Sequence, residues 1–334
     1  MGRGLVKGVE RVGRRGLSGL LRAICAGRSA PLPADPGSIL VVRTDNRLGN
    51  LVLMEPLLRS LRERFPDAEL VLLLSHIFSE LLESQGYRTI TVDKKRQIGR
   101  PWEFCRLVRR LRKSSFEVAI DASHPFSFSL SSAVSTAMCG APSRIGTPSG
   151  DWEGWYTAVS GPPDRKCHES RTIHGLGGVW QDWPEWTPPR LEVSGVEKRD
   201  SVGLHVGGKP GRAYPREKLM RMSREVSAFC DLELYWGSDA ELRIAEDIAG
   251  ERMRVMPRLC ITEFMRAVAG LGAFVSPDTG PMHIASALGI PVIALFRSDN
   301  AERFAPLSEG SEVLQDPDGA DPEEVVAALR ELRI

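Results

Sequence analysis

The chain has 334 residues, 42% of them apolar and 26% charged, with a formal net charge of +1. That length exceeds one compact core and suits two domains of roughly 150 residues each. The even charge balance excludes a chain built as a whole to hold polyanions, so no nucleic-acid partner is expected. Six scattered cysteines (Cys25, Cys105, Cys139, Cys167, Cys230, Cys260) form no CxxC pair, and no histidine cluster has ligand spacing. A disulfide framework and a zinc site are therefore disfavoured, and a reduced, cytoplasmic setting fits.

Charge is concentrated at the start, where residues 1 to 30 hold seven arginines and lysines against Glu10 alone. Leu5, Val9, Val12, Leu17, Leu20 and Ile24 recur near helical spacing between those cations. The pattern is that of a basic amphipathic helix on an anionic membrane surface, through residues 1–28, and implies peripheral attachment at the inner face of the cytoplasmic membrane. Four glycines in the same stretch each weaken a helix by about 1 kcal/mol, so a solvated leader is the competing reading. No apolar run approaches the roughly 18 to 20 residues of a membrane span. Arginines interrupt any signal-peptide core, and Val6 stands where a myristoylation pattern wants Ser or Thr. "SAPLPADPGS" (29–38) is Pro-rich, so residues 1–37 read as leader and linker.

From Ser38 strands and helices alternate. "SILVVR" reads as a buried strand, "LVLMEPLLRSLRERF" as an amphipathic helix, "AELVLLLS" as a strand, "HIFSELLESQG" as a helix and "RTITVD" as a strand. "PWEFCRLVRRLRKSS" (helix), "FEVAIDAS" (strand) and "SLSSAVSTAMCG" (helix) follow. Apolar strands alternating with helices imply a parallel sheet covered on both faces. Residues 147 to 190 break the rhythm with five of the seven tryptophans and many prolines, and read as loops plus an interdomain connection. A second series then runs "SVGLHVGG", "PREKLMRMSREVSAF", "LELYWG", "DAELRIAEDIA", "ITEFMRAVAGL", "AFVSPD", "PMHIASALG", "PVIALF" and "PEEVVAALRELR". The expected fold class is α/β, with two doubly wound Rossmann-like domains, 38–190 and 191–334, facing a central cleft.

The strongest chemical signal is "AFVSPDTGPMHIASALGIPVIALF" (273–296). A strand runs into an Asp278-Thr279-Gly280 loop, Pro281 suits the first helical position, and Gly289 suits the helix end. Backbone N–H groups and the positive helix end can receive a phosphate or diphosphate, and His283, one turn in, could add a hydrogen bond or a positive charge. The bland alternative is a helix capped by Asp278 or Thr279 over a packed His283. The opening "VVRTDNRLGNLVLMEP" (41–56) puts a polar loop at the carboxyl end of a strand, where α/β enzymes keep their chemistry. It offers one carboxylate, Asp45, and an amide, Asn50, that suits helix N-capping.

These stretches together resemble glycosyltransferase family 9, the heptosyltransferases, over most of residues 38–330. "ILVVRTDNRLGNLVLMEPLLRSLRERFPDAEL", "GLHVGGKPGRAYPREKL", "YWGSDAELRIAEDIA" and the Asp-Thr-Gly segment carry the likeness. The resemblance implies a GT-B fold with the acceptor on the N-terminal domain and the donor mostly on the C-terminal one. It places Gly207, Gly208 and Arg212 at the donor phosphates or sugar, Glu241 at the ribose hydroxyls and Leu259 near the adenine. Asp278, Thr279, Gly280 and His283 match diphosphate and sugar contacts. No metal and no cofactor are expected, since a helix end with Lys209, Arg212 and His283 could cradle the departing diphosphate. One departure stands out: heptosyltransferases carry as base an Asp where this chain has Asn50. An amide cannot take a proton at neutral pH, so Asp45 is the first substitute and Asp121, ending "FEVAIDAS", the second.

The leading expectation is an inverting transferase moving a sugar, heptose from ADP-heptose, to a lipopolysaccharide core or another glycan or glycolipid. A sugar-nucleotide binding protein that lost its base is the alternative. A GT-B epimerase and a nicotinamide dehydrogenase rank below these; the first strand leads into "TDNRLGN", not a G-x-G-x-x-G turn.

Overall fold

The computed structural model describes residues 29–332 other than 94, 97–99 and 210. The basic leader expected to form a membrane-surface helix, residues 1–28, lies outside the described residues. The described chain forms two compact units. Residues 29–46, 57–165 and 171–186 make the first unit; residues 47–56, 166–170 and 187–332 make the second. A short early segment is therefore part of the later unit.

The first unit is built on six strands: β1 (Ser38–Arg43), β2 (Glu69–Ser75), β3 (Arg88–Val92), β4 (Val118–Asp121), β5 (Ser143–Gly146) and β6 (Ala158–Val159). They lie in the order β3-β2-β1-β4-β5-β6, every pair parallel. Val41 of β1 sits between Leu72 and Ile120 on its two neighbours. Ile39 to Val42 are all fully buried, which is why "ILVV" has no polar alternation: both faces of a parallel sheet are covered.

Helices α1 (Leu48–Leu53) and α2 (Glu55–Arg64) occupy the stretch expected as one helix over 51–65. Pro56 explains the break, because it has no N–H to give the carbonyl of Val52 and its ring crowds that carbonyl. Helices α3 (Ser79–Glu83), α4 (Pro101–Lys113) and α5 (Leu130–Met138) complete the first series. The tryptophan-rich stretch is more ordered than expected, holding β6, α6 (Glu169–His174) and a 3₁₀ turn at Gly175–Val179. Trp180 packs edge-on to Phe65 at 5.1 Å and stacks near Trp183 at 5.9 Å. Its indole N–H donates to Pro33 O at 2.9 Å, and His174 Nε2 lies 3.0 Å from Ser60 Oγ.

The second unit repeats the plan with β7 (Ser201–His205), β8 (Asp231–Tyr235), β9 (Met253–Val255), β10 (Ala273–Pro277), β11 (Val292–Phe296) and β12 (Glu312–Gln315). Their order is β12-β11-β10-β7-β8-β9, again all parallel. Read from the first strand of each unit, both sheets have the doubly wound order 3-2-1-4-5-6. The α/β fold class with two Rossmann-like units is as expected. The helices are α7 (Arg216–Ser227), α8 (Asp239–Ile248), α9 (Ile261–Ala269), α10 (Gly280–Ala287), α11 (Ala301–Phe304) and α12 (Pro322–Glu331).

Trp180 is 6% exposed and joins the chain after α6 to α2 and the linker. Trp180→Ala should cost about 3 to 5 kcal/mol, read as a lower urea midpoint of the first unit. An unchanged midpoint would mean that the aromatic cluster does not hold the segment.

Candidate functional site

In a 3-2-1-4-5-6 sheet the chain leaves the first and fourth strands in opposite directions, which opens a crevice at their carboxyl ends. In the second unit that switch point lies between β7 and β10. The loop after β7 carries Gly207, Gly208, Lys209 and Arg212; the loop after β10 carries Asp278 and Thr279. His205, the last residue of β7, bridges the two, its Nδ1 lying 3.2 Å from Thr279 Oγ1.

The Asp278 carboxylate is held from two sides. Arg212 Nη1 donates to its Oδ2 at 2.7 Å, and Asn300 Nδ2 donates to the same oxygen at 2.9 Å. Thr279 occupies the N-cap position of α10 in extended geometry, yet its side chain makes no cap bond. The hydroxyl turns instead toward Ser276 Oγ at 3.1 Å and His205. The capped-helix alternative therefore does not account for Thr279, and the positive end of α10 carries no side-chain cap. Gly280 is the first helical residue and Pro281 the second, one place later than expected. Gly289 follows the helix with φ of +76° and closes it by donating its N–H to Ser286 O.

Gly207 is buried under Glu241, whose carboxylate would collide with any side chain there. Glu241 forms a capping box with Ser238, its Oε2 accepting from the N–H of Gly237 at 2.7 Å and of Ser238 at 3.1 Å. It is thus a fixed carboxylate and not a solvated helix charge. Gly208 lets the loop fold onto itself, since a Cβ there would sit 2.8 Å from Ala213 Cα. Lys209 is exposed and its carbonyl accepts from the N–H groups of Arg212 and Ala213, both at 2.9 Å. Leu259, between β9 and α9, packs against the apolar cluster around Phe274 and Val268.

The segment 47–56, part of this unit, brings α1 onto α10. A Cβ at Gly49 would lie 2.5 Å from His283 Cδ2, and one at Gly280 would lie 2.8 Å from Leu48 Cβ. Asn50 sits half-buried as the third residue of α1. It is not the helix cap: Arg47 holds that position with φ −126° and ψ 108°, and the Asn50 N–H donates to Arg47 O at 3.1 Å. The helix begins three residues before the apolar run because "RLGN" supplies its first turn.

Both histidines of the site are buried, and burial pushes each down to about 4. Glu241 opposes the shift at His205; at His283 Asp278 opposes it and His168 adds to it. At neutral pH His283 therefore offers a hydrogen bond and no positive charge.

In the first unit the switch point lies between β1 and β4. Arg43, fully buried, donates from Nε to Asp45 Oδ2 at 3.0 Å and from Nη1 to Ala122 O at 2.5 Å. Asp45 keeps about a third of its side-chain exposure. Asp121 is buried, with Oδ2 accepting from the Tyr156 hydroxyl at 2.6 Å and Oδ1 from the Ser123 N–H at 3.0 Å. Burial raises its pKa against those two donors. His205, Asn300, Arg43 and Tyr156 were not singled out from sequence. A polar residue closing an apolar strand was a usable signal for Arg43 and His205; nothing local marked Tyr156. Among the described residues no three His, Cys, Asp or Glu are grouped as metal ligands.

Residues 202–328 match the model of "Glycosyltransferase family 9 (heptosyltransferase)". A stretch of 130 residues, 38% of this chain, is 38% identical to lipopolysaccharide heptosyltransferase 1 of Pseudomonas aeruginosa. That match spans 28% of the relative's length. The structure of the E. coli heptosyltransferase WaaC with ADP aligns with a TM-score of 0.74 at 17% identity, over 88% of this chain and 99% of that one. The glycosyl transferase family 9 protein from Veillonella parvula DSM 2008 aligns at 0.76 and 16% identity, over 91% and 99%. At such identities the structural likeness is one of fold, and it is the GT-B fold. The likeness in sequence to family 9 heptosyltransferases therefore lies in residues 202–328, within the second unit.

Gly49→Ala and Gly280→Ala should each force α1 and α10 apart and cost about 1 to 3 kcal/mol, read as a lower melting temperature. Melting unchanged in both would remove the close approach. The buried histidines fix a pH dependence. The folded His205 titrates near 4, below the usual 6.5, so between those values the unfolded chain binds more protons and stability falls with falling pH. The effect is at most about 3 kcal/mol for one such group. His205→Gln should lose less melting temperature than the parent between pH 6.5 and 4.5; equal losses would contradict the assignment.

Proposed function

We propose that this chain is an inverting glycosyltransferase whose second unit holds a nucleotide-diphosphate sugar, ADP-heptose being the leading donor. The acceptor is a lipopolysaccharide core or another glycan or glycolipid. The observation that carries the reading is the switch-point crevice of the second unit, where the glycine-bearing loop after β7 meets an α10 start without a side-chain cap. The family match over the same residues supports it. In this reading residues 38–190 serve the acceptor and residues 191–334 the donor, as in the sequence-based division.

Each residue then has a physical task. Gly207 and Gly208 let the backbone approach the phosphates, and a side chain at either position would strike Glu241 or Ala213. The N–H groups at the start of α10, with Arg212 and Lys209, oppose the charge that grows on the departing diphosphate, without calling on a metal. Asp278, itself held by Asn300, keeps Arg212 in place, and Thr279 joins the two loops through His205. His283 donates a hydrogen bond as a neutral imidazole. Glu241 has an oxygen for ribose hydroxyls beside Gly207, and Leu259 offers the base an aliphatic wall.

An acceptor hydroxyl must lose its proton as it attacks the anomeric carbon from the face opposite the leaving group. Asn50 cannot take that proton, and its place in the first turn of α1 suits hydrogen bonding to a sugar. Asp45 is the better base of the two carboxylates. It is accessible, and the buried Arg43 guanidinium fixes its direction. Asp121 is enclosed with Tyr156 and Ser123 on its oxygens.

Donor identity is read by a thermal-shift screen against ADP-, GDP-, UDP- and dTDP-sugars, in which the true donor raises the melting temperature. Asp278→Ala and His283→Ala should weaken that shift while the fold persists; full donor affinity in both would remove the site. Asp45→Asn should cut turnover by about 10² to 10⁴ with donor binding preserved. A collapse in Asp121→Asn with Asp45→Asn near normal transfers the base role to Asp121. Absence of transfer with every donor, with neither carboxylate mattering, leaves a sugar-nucleotide binding protein.

A further inference from the structure

The loop leaving the carboxyl end of β11, "RSDN" (297–300), lies in the second unit. Asn300 stands at the N-cap position of α11, where an Asn side chain ordinarily accepts from an N–H of the first helical turn. Here it makes no cap bond. The amide turns away from the helix, and its Nδ2 donates to Asp278 Oδ2 at 2.9 Å. The Ser298 hydroxyl donates to Asn300 Oδ1 at 2.6 Å, and the Asn300 N–H donates to Ser298 O at 2.9 Å. These bonds fix which way the amide faces, since an ionised carboxylate only accepts and Nδ2 is the amide's one donor atom.

Asp278 passes that constraint on. Its side chain is 7% exposed, and the oxygen that takes the Asn300 amide also takes Arg212 Nη1 at 2.7 Å. The Arg212 side chain is 45% exposed, and ion pairs open to water are loosely held when both partners can move. In this pair the carboxylate cannot move freely, so its direction decides that of the guanidinium. The other N–H groups of that guanidinium have no acceptor among the described residues. The same loop also holds the backbone beside the cation. Arg297 donates from Nη1 to Ala213 O at 2.8 Å and from Nε to Pro317 O at 2.9 Å. The N–H groups of Arg212 and Ala213 both return to Lys209 O. Side chain and backbone of Arg212 are thus both anchored from residues 297–300.

We propose that Asn300 is a positioning residue for the cation that meets the donor diphosphate, and that the neutrality of its amide is what suits it to the task. The proposal rests on the donor reading of this crevice. The amide directs the Asp278 carboxylate by a donated hydrogen bond and adds no charge. Arg212 then answers to one carboxylate and presents its remaining N–H groups to phosphate oxygens, which a guanidinium binds as a planar fork. A carboxyl group at position 300 could donate to Asp278 only while protonated. Once that proton left, two negative charges would compete for one guanidinium, and carboxylates this close resist ionising together. The charged and titratable groups around the pair are Arg212, His283, Arg297, Asp299, Glu302 and Arg303. His283 titrates near 4, and Arg303 is already paired with Glu169.

The test is calorimetric titration of the full chain with ADP, GDP, UDP and dTDP between about pH 5.5 and 8.5, the nucleotide that binds the parent being followed in the variants. Each affinity is read as its ratio to the parent's at the same pH, which removes the titration of the nucleotide itself. Asn300→Ala should weaken binding by about tenfold at every pH. Asn300→Asp should come close to the parent at the acid end and fall about tenfold or more behind it at the alkaline end, as the new carboxyl loses its proton. In an Arg212→Ala background neither substitution should weaken binding further, because the amide acts through that guanidinium. Ser298→Ala, which frees the amide to turn, serves if Asn300→Ala fails to fold and should give a smaller loss of the same kind. A ratio for Asn300→Asp that does not change with pH overturns the proposal, as does a full loss in the Arg212→Ala background. A parent that binds while the Asn300 variants equal it overturns the proposal alone. A parent that binds none of the four nucleotides overturns the donor reading and the proposal with it.

Discussion

Two glycines set how closely α1 can lie on α10, and the arrangement of the second unit's site depends on that distance. At Gly49 the imidazole of His283 fills the space a Cβ would take, and at Gly280 the side chain of Leu48 does. The starts of two helices, both positive ends without a side-chain cap, are thereby held together. The arrangement divides the opening motif "VVRTDNRLGNLVLMEP" between units: residues 41–46 remain with the first sheet, and 47–56 pack in the second. The helix break at Met54 and Pro56 falls where the chain passes back to the first unit. A continuous helix would have carried α2 along with α1. Pro56 removes the hydrogen bond that continuity needs.

Charge within the second unit's site is distributed by burial. The enclosed donors, His205 and His283, stay neutral, because an unpaired cation taken from water costs several kcal/mol. The permanent cations, Arg212 and Lys209, are on the exposed part of the loop, where hydration offsets their charge. Asp278 sits between these layers. Its side chain is nearly enclosed, and Arg212 and Asn300 share one of its oxygens. The crevice thus combines an uncapped helix start with a cation held in place by a buried carboxylate.

The long strands and the amphipathic helices were legible because their apolar residues recur with a clear period or as an unbroken run. "SILVVR", "AELVLLLS" and "PVIALF" are found within one residue of where the sequence places them. The strands β5, β6, β9 and β12 were not recognised. Each is two to four residues long and lies toward a sheet edge, where tertiary pairing rather than a hydrophobic run makes the strand. The Asp278-Thr279-Gly280 loop stood out because it follows a buried strand and opens a helix, whereas Gly207, Gly208 and Arg212 were singled out only through the family resemblance. Asn50 was misplaced as a cap because Asn favours that position, whereas the first turn "LGN" is made helical by packing on α10 rather than by local preference. Asn300 and Tyr156 reach their carboxylates across 22 and 35 residues. No local pattern encodes contacts of that kind.

The two sheets solve one problem with different residues. Where the chain leaves the first and fourth strands in opposite directions, backbone and hydroxyl oxygens at the strand ends lose their ladder partners and require donors. In each unit the last residue of the first strand reaches across to the loop after the fourth. Arg43 donates to Ala122 O, and His205 meets Thr279. The choice of residue decides the local field. A buried guanidinium cannot shed its charge, so the first unit needs Asp45 beside it, and this ion pair fixes a carboxylate at the crevice. A buried imidazole can be neutral, so the second unit needs no matching anion there. Lys209 and the uncapped start of α10 stand on the loops beside it. One topology therefore carries a buried Arg43–Asp45 ion pair at the end of the first strand in the first unit, and a buried neutral imidazole, His205, at the equivalent strand end in the second.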